Sequence, residues 1–289
     1  MSAKAALFVV LAAVTVAFGV FWFRHARAKW DGWPTPVQLF IGAVTDFFDT
    51  LGIGSFATTS SMFKLGRVVD DARIPGTLNV GHTVPTFVQA FIFIAVIKVD
   101  MSTLVLMIGA AVAGAWLGAG FVSRWPKRRI QIGMGVLLFV AAGIIVARLT
   151  QFMPGGGDAV GLTGPRLAIG IAGNFVLGAL MTLGIGLYAP CMILVAFLGM
   201  HDKAAFPIMM GSCAFLMPAA SVRFVRSERY DLRASLGLTL AGTPAAVIAG
   251  LIVKEMPLYA VKWLVVVVVV YTAVAMLFSA ARDKERRHG

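Results

Sequence analysis

The chain is predicted to be an all-α polytopic membrane protein built as an inverted repeat. Each copy holds one re-entrant or broken-helix hairpin plus three transmembrane helices, with one extra N-terminal helix. Three observations carry this expectation. The composition is 59% hydrophobic and 13% charged, with a mean hydropathy of +0.88, which excludes a soluble globule. Apolar runs such as Leu104–Val122 and Trp263–Ala281 exceed the roughly 18 residues that imply a spanning helix. The pentapeptide Thr50-Leu51-Gly52-Ile53-Gly54 recurs as Thr182-Leu183-Gly184-Ile185-Gly186, each copy interrupting a long apolar segment.

Residues 1–35 are read as a first transmembrane helix and a cytoplasmic loop. The apolar stretch 5–23 is followed by Arg24, Arg27 and Lys29 without a clear small-residue cleavage site, so it is expected to be a retained span and not a signal peptide. Its N-terminus is then outside. The first repeat, 36–149, comprises apolar segments 36–63, 75–97, 102–123 and 130–149. A linker, 150–165, contains Gly155-Gly156-Gly157. The second repeat, 166–281, comprises 166–199, 203–223, 234–253 and 258–281, and residues 282–289 form a cytoplasmic tail. Pro75 and Pro207 stand at the same repeat offset, and Pro126 and Pro257 open the last span of each copy at nearly equivalent points.

Charge fixes the expected topology. The formal net charge is +12, but the basic residues sit in short clusters between apolar runs, so no nucleic-acid partner is expected. If the two glycine-broken segments enter and leave on one side, the clusters Arg24–Lys29, Lys64–Arg73, Arg124–Arg129, Arg223–Arg233 and Arg282–Arg287 all face the cytoplasm. That places 18 of the 25 Lys and Arg residues inside. Trp22, Trp30, Trp33 and Trp125 then fall at cytoplasmic interfaces, where aromatic residues anchor spans. Cys191 and Cys213 lie in apolar segments and read as inert buried thiols.

Paired, glycine-interrupted segments in two halves of a membrane chain point to a transporter's solute site. A break about 16 residues into a helix lies about 24 Å along its axis, deep in a hydrocarbon core about 30 Å thick. Irregular backbone survives there only against protein or a wet cavity. The half-helix that follows each break presents amides without intrahelical partners, an end that favours anions. The candidate solute-binding residues are therefore Gly52, Gly54, Ser55, Thr58 and Thr59 at the first tip, and Gly184, Gly186 and Tyr188 at the second. The spans that follow add Asn79 and His82, and Ser212 and Cys213. The competing reading is that the glycines only allow close helix packing.

Asp46 and Asp49 lie three apart, on one face of the first hairpin leg. Carboxylates at that depth are costly and usually serve a pathway or a proton relay, so both are proton-coupling candidates. A structural ion pair is the alternative. Metal-ligand sets, nucleophile–base pairs and phosphate loops are not found, so neither an enzyme, a metal site nor a cofactor is expected.

The doubled glycine stretch and the run Ala205-Phe206-Pro207-Ile208-Met209-Met210-Gly211-Ser212-Cys213-Ala214-Phe215 resemble the TauE/SafE family of bacterial membrane permeases. This resemblance implies a bacterial inner-membrane carrier of sulfur-containing anions such as sulfite, sulfonates or sulfoacetate, generally an exporter. The chain departs from the family pattern at both tips. The usual glycine triplet is replaced by Gly52-Ile53-Gly54 and Gly184-Ile185-Gly186, and Thr58 stands where the second copy has Pro190. The expected partners are a small anionic solute, protons and the lipid bilayer, with an oligomer left open. Two other readings remain: a cation or metal carrier using Asp46 and Asp49, and a membrane assembly or scaffold protein.

Overall fold

The computed structural model describes residues 2–118, 127–150, 157–181 and 187–285. Its helices are α1 (Ala3–Ala28), α2 (Pro36–Thr50), α3 (Ser55–Gly66), α4 (Ile74–Val96), α5 (Met101–Ala113), α6 (Lys127–Leu149), α7 (Gly164–Met181), α8 (Tyr188–Phe197), α9 (Ala205–Arg226), α10 (Leu232–Glu255) and α11 (Leu258–Glu285). A π-helical turn, Gly114–Gly118, extends α5, and a 3-10 turn, Asp202–Ala204, leads into α9. Among the described residues, six helical stretches are long and apolar enough to cross a bilayer: α1, α4, α7, 202–226, α10 and 263–281. The chain is an all-α, multi-pass membrane protein by this measure.

Local sequence explains where helices start and stop. Thr35 and Gln38 form a reciprocal capping box ahead of α2, and Pro36 occupies its first turn, where a missing donor costs nothing. At the other end Gly52 takes φ +98°, its amide bonds the Asp49 carbonyl and the Ile53 amide bonds that of Phe48. This is a Schellman stop. Asp100 caps α5: its carboxylate accepts from the Ser102 hydroxyl and the Thr103 amide, and these bonds hold its carboxyl below the usual range.

The chain divides into two compact units, residues 1–97 with 210–255 and residues 98–209 with 256–289. Each unit therefore mixes segments of the two sequence repeats.

In the first unit α10 lies along both α2 and α4. Small residues allow that approach: a Cβ added to Gly42 would lie 2.7 Å from the Gly237 carbonyl oxygen, and one added to Gly237 2.8 Å from Gln38 Cβ. Ile41, Phe63, Ile74, Leu78, Ala234 and Leu238 close an apolar cluster where both hairpin legs, α4 and α10 meet. Pro85 inside α4 has no amide hydrogen to offer the carbonyl one turn back, that of Gly81. Thr239 of α10 supplies the missing donor, its hydroxyl 2.7 Å from that oxygen.

The loops of this unit gather at one end. Lys29 pairs with Glu228, and Arg233 donates twice to the Trp33 carbonyl, at 3.1 and 2.9 Å. The Asp231 amide donates to Thr77 at 2.9 Å. These are loops that the charge pattern assigned to one side. Trp22, expected at an interface, is packed against protein and only 6% exposed. Its ring stacks on Phe18, which in turn packs edge-on against Phe87 of α4, so Trp22 helps dock α1.

In the second unit α5 lies along α7 and α6 along α11. Gly178 touches the Ala111 carbonyl, Gly114 touches that of Phe175, and Asn174 donates to the Met107 carbonyl at 2.7 Å. Several of its described loops are tied together. The Asp100 amide bonds Val160 at 2.7 Å, the His201 amide bonds Ala159 at 2.9 Å, and Lys203 Nζ bonds Met256 at 2.8 Å.

Two measurements check this architecture. Gly42→Val forces a branched side chain into backbone and should lower unfolding stability in detergent by about 1–3 kcal/mol or more. In a background lacking Cys191 and Cys213, a cysteine at the exposed position 71 should react with an impermeant thiol reagent from one side only. A cysteine at exposed position 228, in the same group of loops, should react from that same side.

Candidate functional site

The first glycine motif is a helix break. After the Schellman stop at Gly52, Gly54 takes φ +84° and α3 begins at Ser55. Both angles lie where an L side chain is strained, which explains the two glycines of the motif. Among the described residues no atom lies within 4 Å of where a Gly54 Cβ would point, so the tip borders open space there.

Gly54 has no side chain to cap α3. Asp49, one turn before the break, does this instead. Its Oδ1 accepts from the Ser55 amide at 2.5 Å, and its Oδ2 accepts from Gln89 Nε2 of α4 at 2.9 Å. The same Gln89 nitrogen lies 2.8 Å from Thr50 Oγ1. One carboxylate thus fastens the end of α2, the start of α3 and the middle of α4. An acceptor here matters, because an unpaired amide away from water costs about 1–3 kcal/mol.

One turn earlier on α2, Asp46 Oδ1 lies 2.9 Å from His82 Nδ1, and His82 Nε2 lies 3.1 Å from Thr59 Oγ1 of α3. Asp46, Thr59 and His82 are 0% exposed and Asp49 is 2% exposed, so these groups act on one another in a low dielectric. The second oxygen of Asp46 is buried with no hydrogen-bond partner, and it abuts the bare backbone of Gly242 on α10. Thr243 Oγ1, on the next residue, is likewise buried without a partner.

The structure therefore brings together Asp46, Asp49, Ser55, Thr59 and His82 from the sequence-derived candidates. Thr58 instead returns its hydroxyl to the Ser55 carbonyl at 2.9 Å, and Asn79 donates to the Pro75 carbonyl at 2.9 Å. Ser212 and Cys213 are buried on α9, and Tyr188 is buried as the first residue of α8. Gly184 and Gly186 lie outside the described residues. Thr50, the first residue of the repeated pentapeptide, and Gln89, a polar residue of the span after the hairpin, join the network, as does Gly242. Gln89 is one of several polar residues along its span, and Gly242 sits among other small residues. Among the described residues no cluster of His, Cys, Asp and Glu is arranged to hold a metal.

Comparison with protein-family models, with curated proteins and with solved structures gives no match. The family resemblance rests on its motifs alone.

Two substitutions probe the tip. Gln89→Leu strips donors from Asp49 and Thr50 and should cost about 1–3 kcal/mol of stability by thermal unfolding. Gly54→Ala meets no neighbour, so its cost should be the backbone strain alone, about 1–2 kcal/mol.

Proposed function

We propose that the protein is a secondary carrier of a small sulfur-containing anion, of the sulfite, sulfonate or sulfoacetate kind, coupled to protons. One observation carries the reading: a buried carboxylate–histidine network stands directly behind an open, glycine-built helix break in a multi-pass membrane chain. Buried ionisable groups are too costly in such a setting to be kept for packing alone. The bacterial inner membrane, with the N-terminus outside and the C-terminus cytoplasmic, follows from the family resemblance and the basic clusters.

The repeat plan has support of its own. The two pentapeptides are offset by 132 residues, which carries Gly42 onto Asn174, Asp46 onto Gly178, Leu238 onto Leu106 and Gly242 onto Ala110. In the first unit Gly42 abuts Leu238 and Asp46 abuts Gly242. In the second Asn174 bonds Met107 and Gly178 abuts Ala111, each one residue from the transposed partner. A hairpin leg of one repeat pairs with a middle span of the other in nearly the same register, twice. Chance packing has no reason to repeat a register.

A cation carrier is the second reading, and a specific observation favours it. Asp49 already takes the Ser55 amide that a solute anion would use, and Asp46 keeps one oxygen unpartnered.

The deciding experiment is flux in proteoliposomes under an imposed pH gradient. Sulfite or a small sulfonate should move, and faster with the gradient than without it. Absence of flux for all these anions overturns the substrate assignment. Flux of a monovalent or divalent cation that Asp46→Asn abolishes establishes the second reading instead.

A further inference from the structure

Asp46 and Asp49 look equivalent in the sequence, but their surroundings separate them. We infer that the transported proton is bound by the Asp46–His82 pair, with Thr59 as its reversible hydrogen-bond partner, while Asp49 is a positioning residue that holds the hairpin and carries no proton. The inference rests on the carrier reading for its purpose, but not for its chemistry.

Both oxygens of Asp49 face donors, the Ser55 amide and the Gln89 amide nitrogen. Protonating Oδ1 would set an O–H against the Ser55 N–H and forfeit a bond, so the hydrogen bonds at this site favour the carboxylate. Asp46 differs. Only Oδ1 is engaged, by His82, and Oδ2 is buried against the Gly242 backbone with no donor. A buried carboxylate left half satisfied is the one that gains from an added positive charge beside it.

His82 can supply that charge without moving. In its neutral form Nδ1–H donates to Asp46, and the Nε2 lone pair accepts the Thr59 hydroxyl hydrogen. When a proton arrives, an N–H bond forms at Nε2 and the Thr59 hydroxyl rotates to accept from it. The O–H···N bond becomes N–H···O between the same two atoms, 3.1 Å apart. Only a hydroxyl serves both states. The pair passes from one negative charge to neutral.

The groups that face this pair are few. On α2 the titratable neighbour is Asp49. From α3 come the Thr59 hydroxyl and the Phe56 ring, whose centroid is 6.1 Å from that of His82. From α4, Thr86 returns its hydroxyl to the His82 carbonyl, α9 contributes Met217 against Thr86, and α10 contributes the backbone of Gly242. None of those from α3, α9 and α10 titrates. Because Thr59 sits on the leg that begins at the tip, loading the proton removes a negative charge close to where an anion would approach. Unloaded, the pair repels the anion; loaded, it does not. Proton and anion are thereby tied to one another.

The test is ¹⁵N NMR of the His82 ring in purified full-length protein in lipid nanodiscs, with the other three histidines replaced by Gln, alongside flux in proteoliposomes. The His82 ring should show one protonation step within the pH range over which the protein stays folded. Thr59→Val removes the acceptor of the protonated form and should lower the midpoint by about one pH unit, a tenfold loss of proton affinity. Thr59→Ser should restore it. Asp46→Asn should lower the midpoint more than Asp49→Asn does. A His82 ring that never titrates, a Thr59→Val midpoint equal to the native one, or an Asp49→Asn shift as large as that of Asp46→Asn overturns the inference. If His82 titrates as described but no solute moves, the carrier reading fails and the proton site stands. If sulfite moves and Asp46→Asn leaves its pH dependence intact, the carrier reading stands and the proton site falls.

Discussion

A helix interrupted inside the protein leaves backbone amides that water is not there to satisfy, and the carboxylate of Asp49 answers that need for Ser55. Its bond to Ser55 lets the chain reverse at Gly52–Gly54, and its bond to Gln89 fixes the reversed chain against α4. Once the break is held, the next residues fall into place. Thr59 is brought to His82, and His82 to Asp46. Remove the acceptor and the same glycines would mark only a weak point in a helix. The costly ionised group and the costly irregular backbone offset one another, which is why both persist at this depth.

The seam between α2 and α10 works with this constraint. A glycine at 242 leaves room for the Asp46 carboxylate but offers it no donor, while Gly42 and Gly237 draw the two helices together. The polar network is thus enclosed by close backbone contact on one side and by α4 on the other. Enclosure raises the strength of each bond within it, and equally the cost of any atom left unpaired.

Much of the architecture was legible in the sequence because hydrophobic runs and glycine breaks are strong local signals. The break expected at Gly52–Gly54 falls there, and the segments read as 75–97 and 234–253 appear as Ile74–Val96 and Leu232–Glu255. Asp46 and Asp49 do share a face. What could not be read was the division of labour between them, because it is decided by Gln89 and His82, some forty residues away along the chain. The partner of the Gly81 carbonyl was equally hidden: Pro85 announces a missing bond, but nothing local says that Thr239 repairs it. The packing of Trp22 on Phe18 was also hidden, because an aromatic belt and a helix contact look alike until the neighbour is known.

The glycine seam also governs what can rearrange. Backbone pressed on backbone at Gly42 and Gly237, with the Asp46 side chain wedged against Gly242, leaves no slack for sliding, so α2 and α10 behave as a single stiff strut. The return leg, α3, joins this strut through the two glycines with positive φ and is held at its far end by Phe63 in the apolar cluster. The imidazole of His82 is the clasp between the two legs: one ring nitrogen faces Asp46 on the strut, the other faces Thr59 on the return leg.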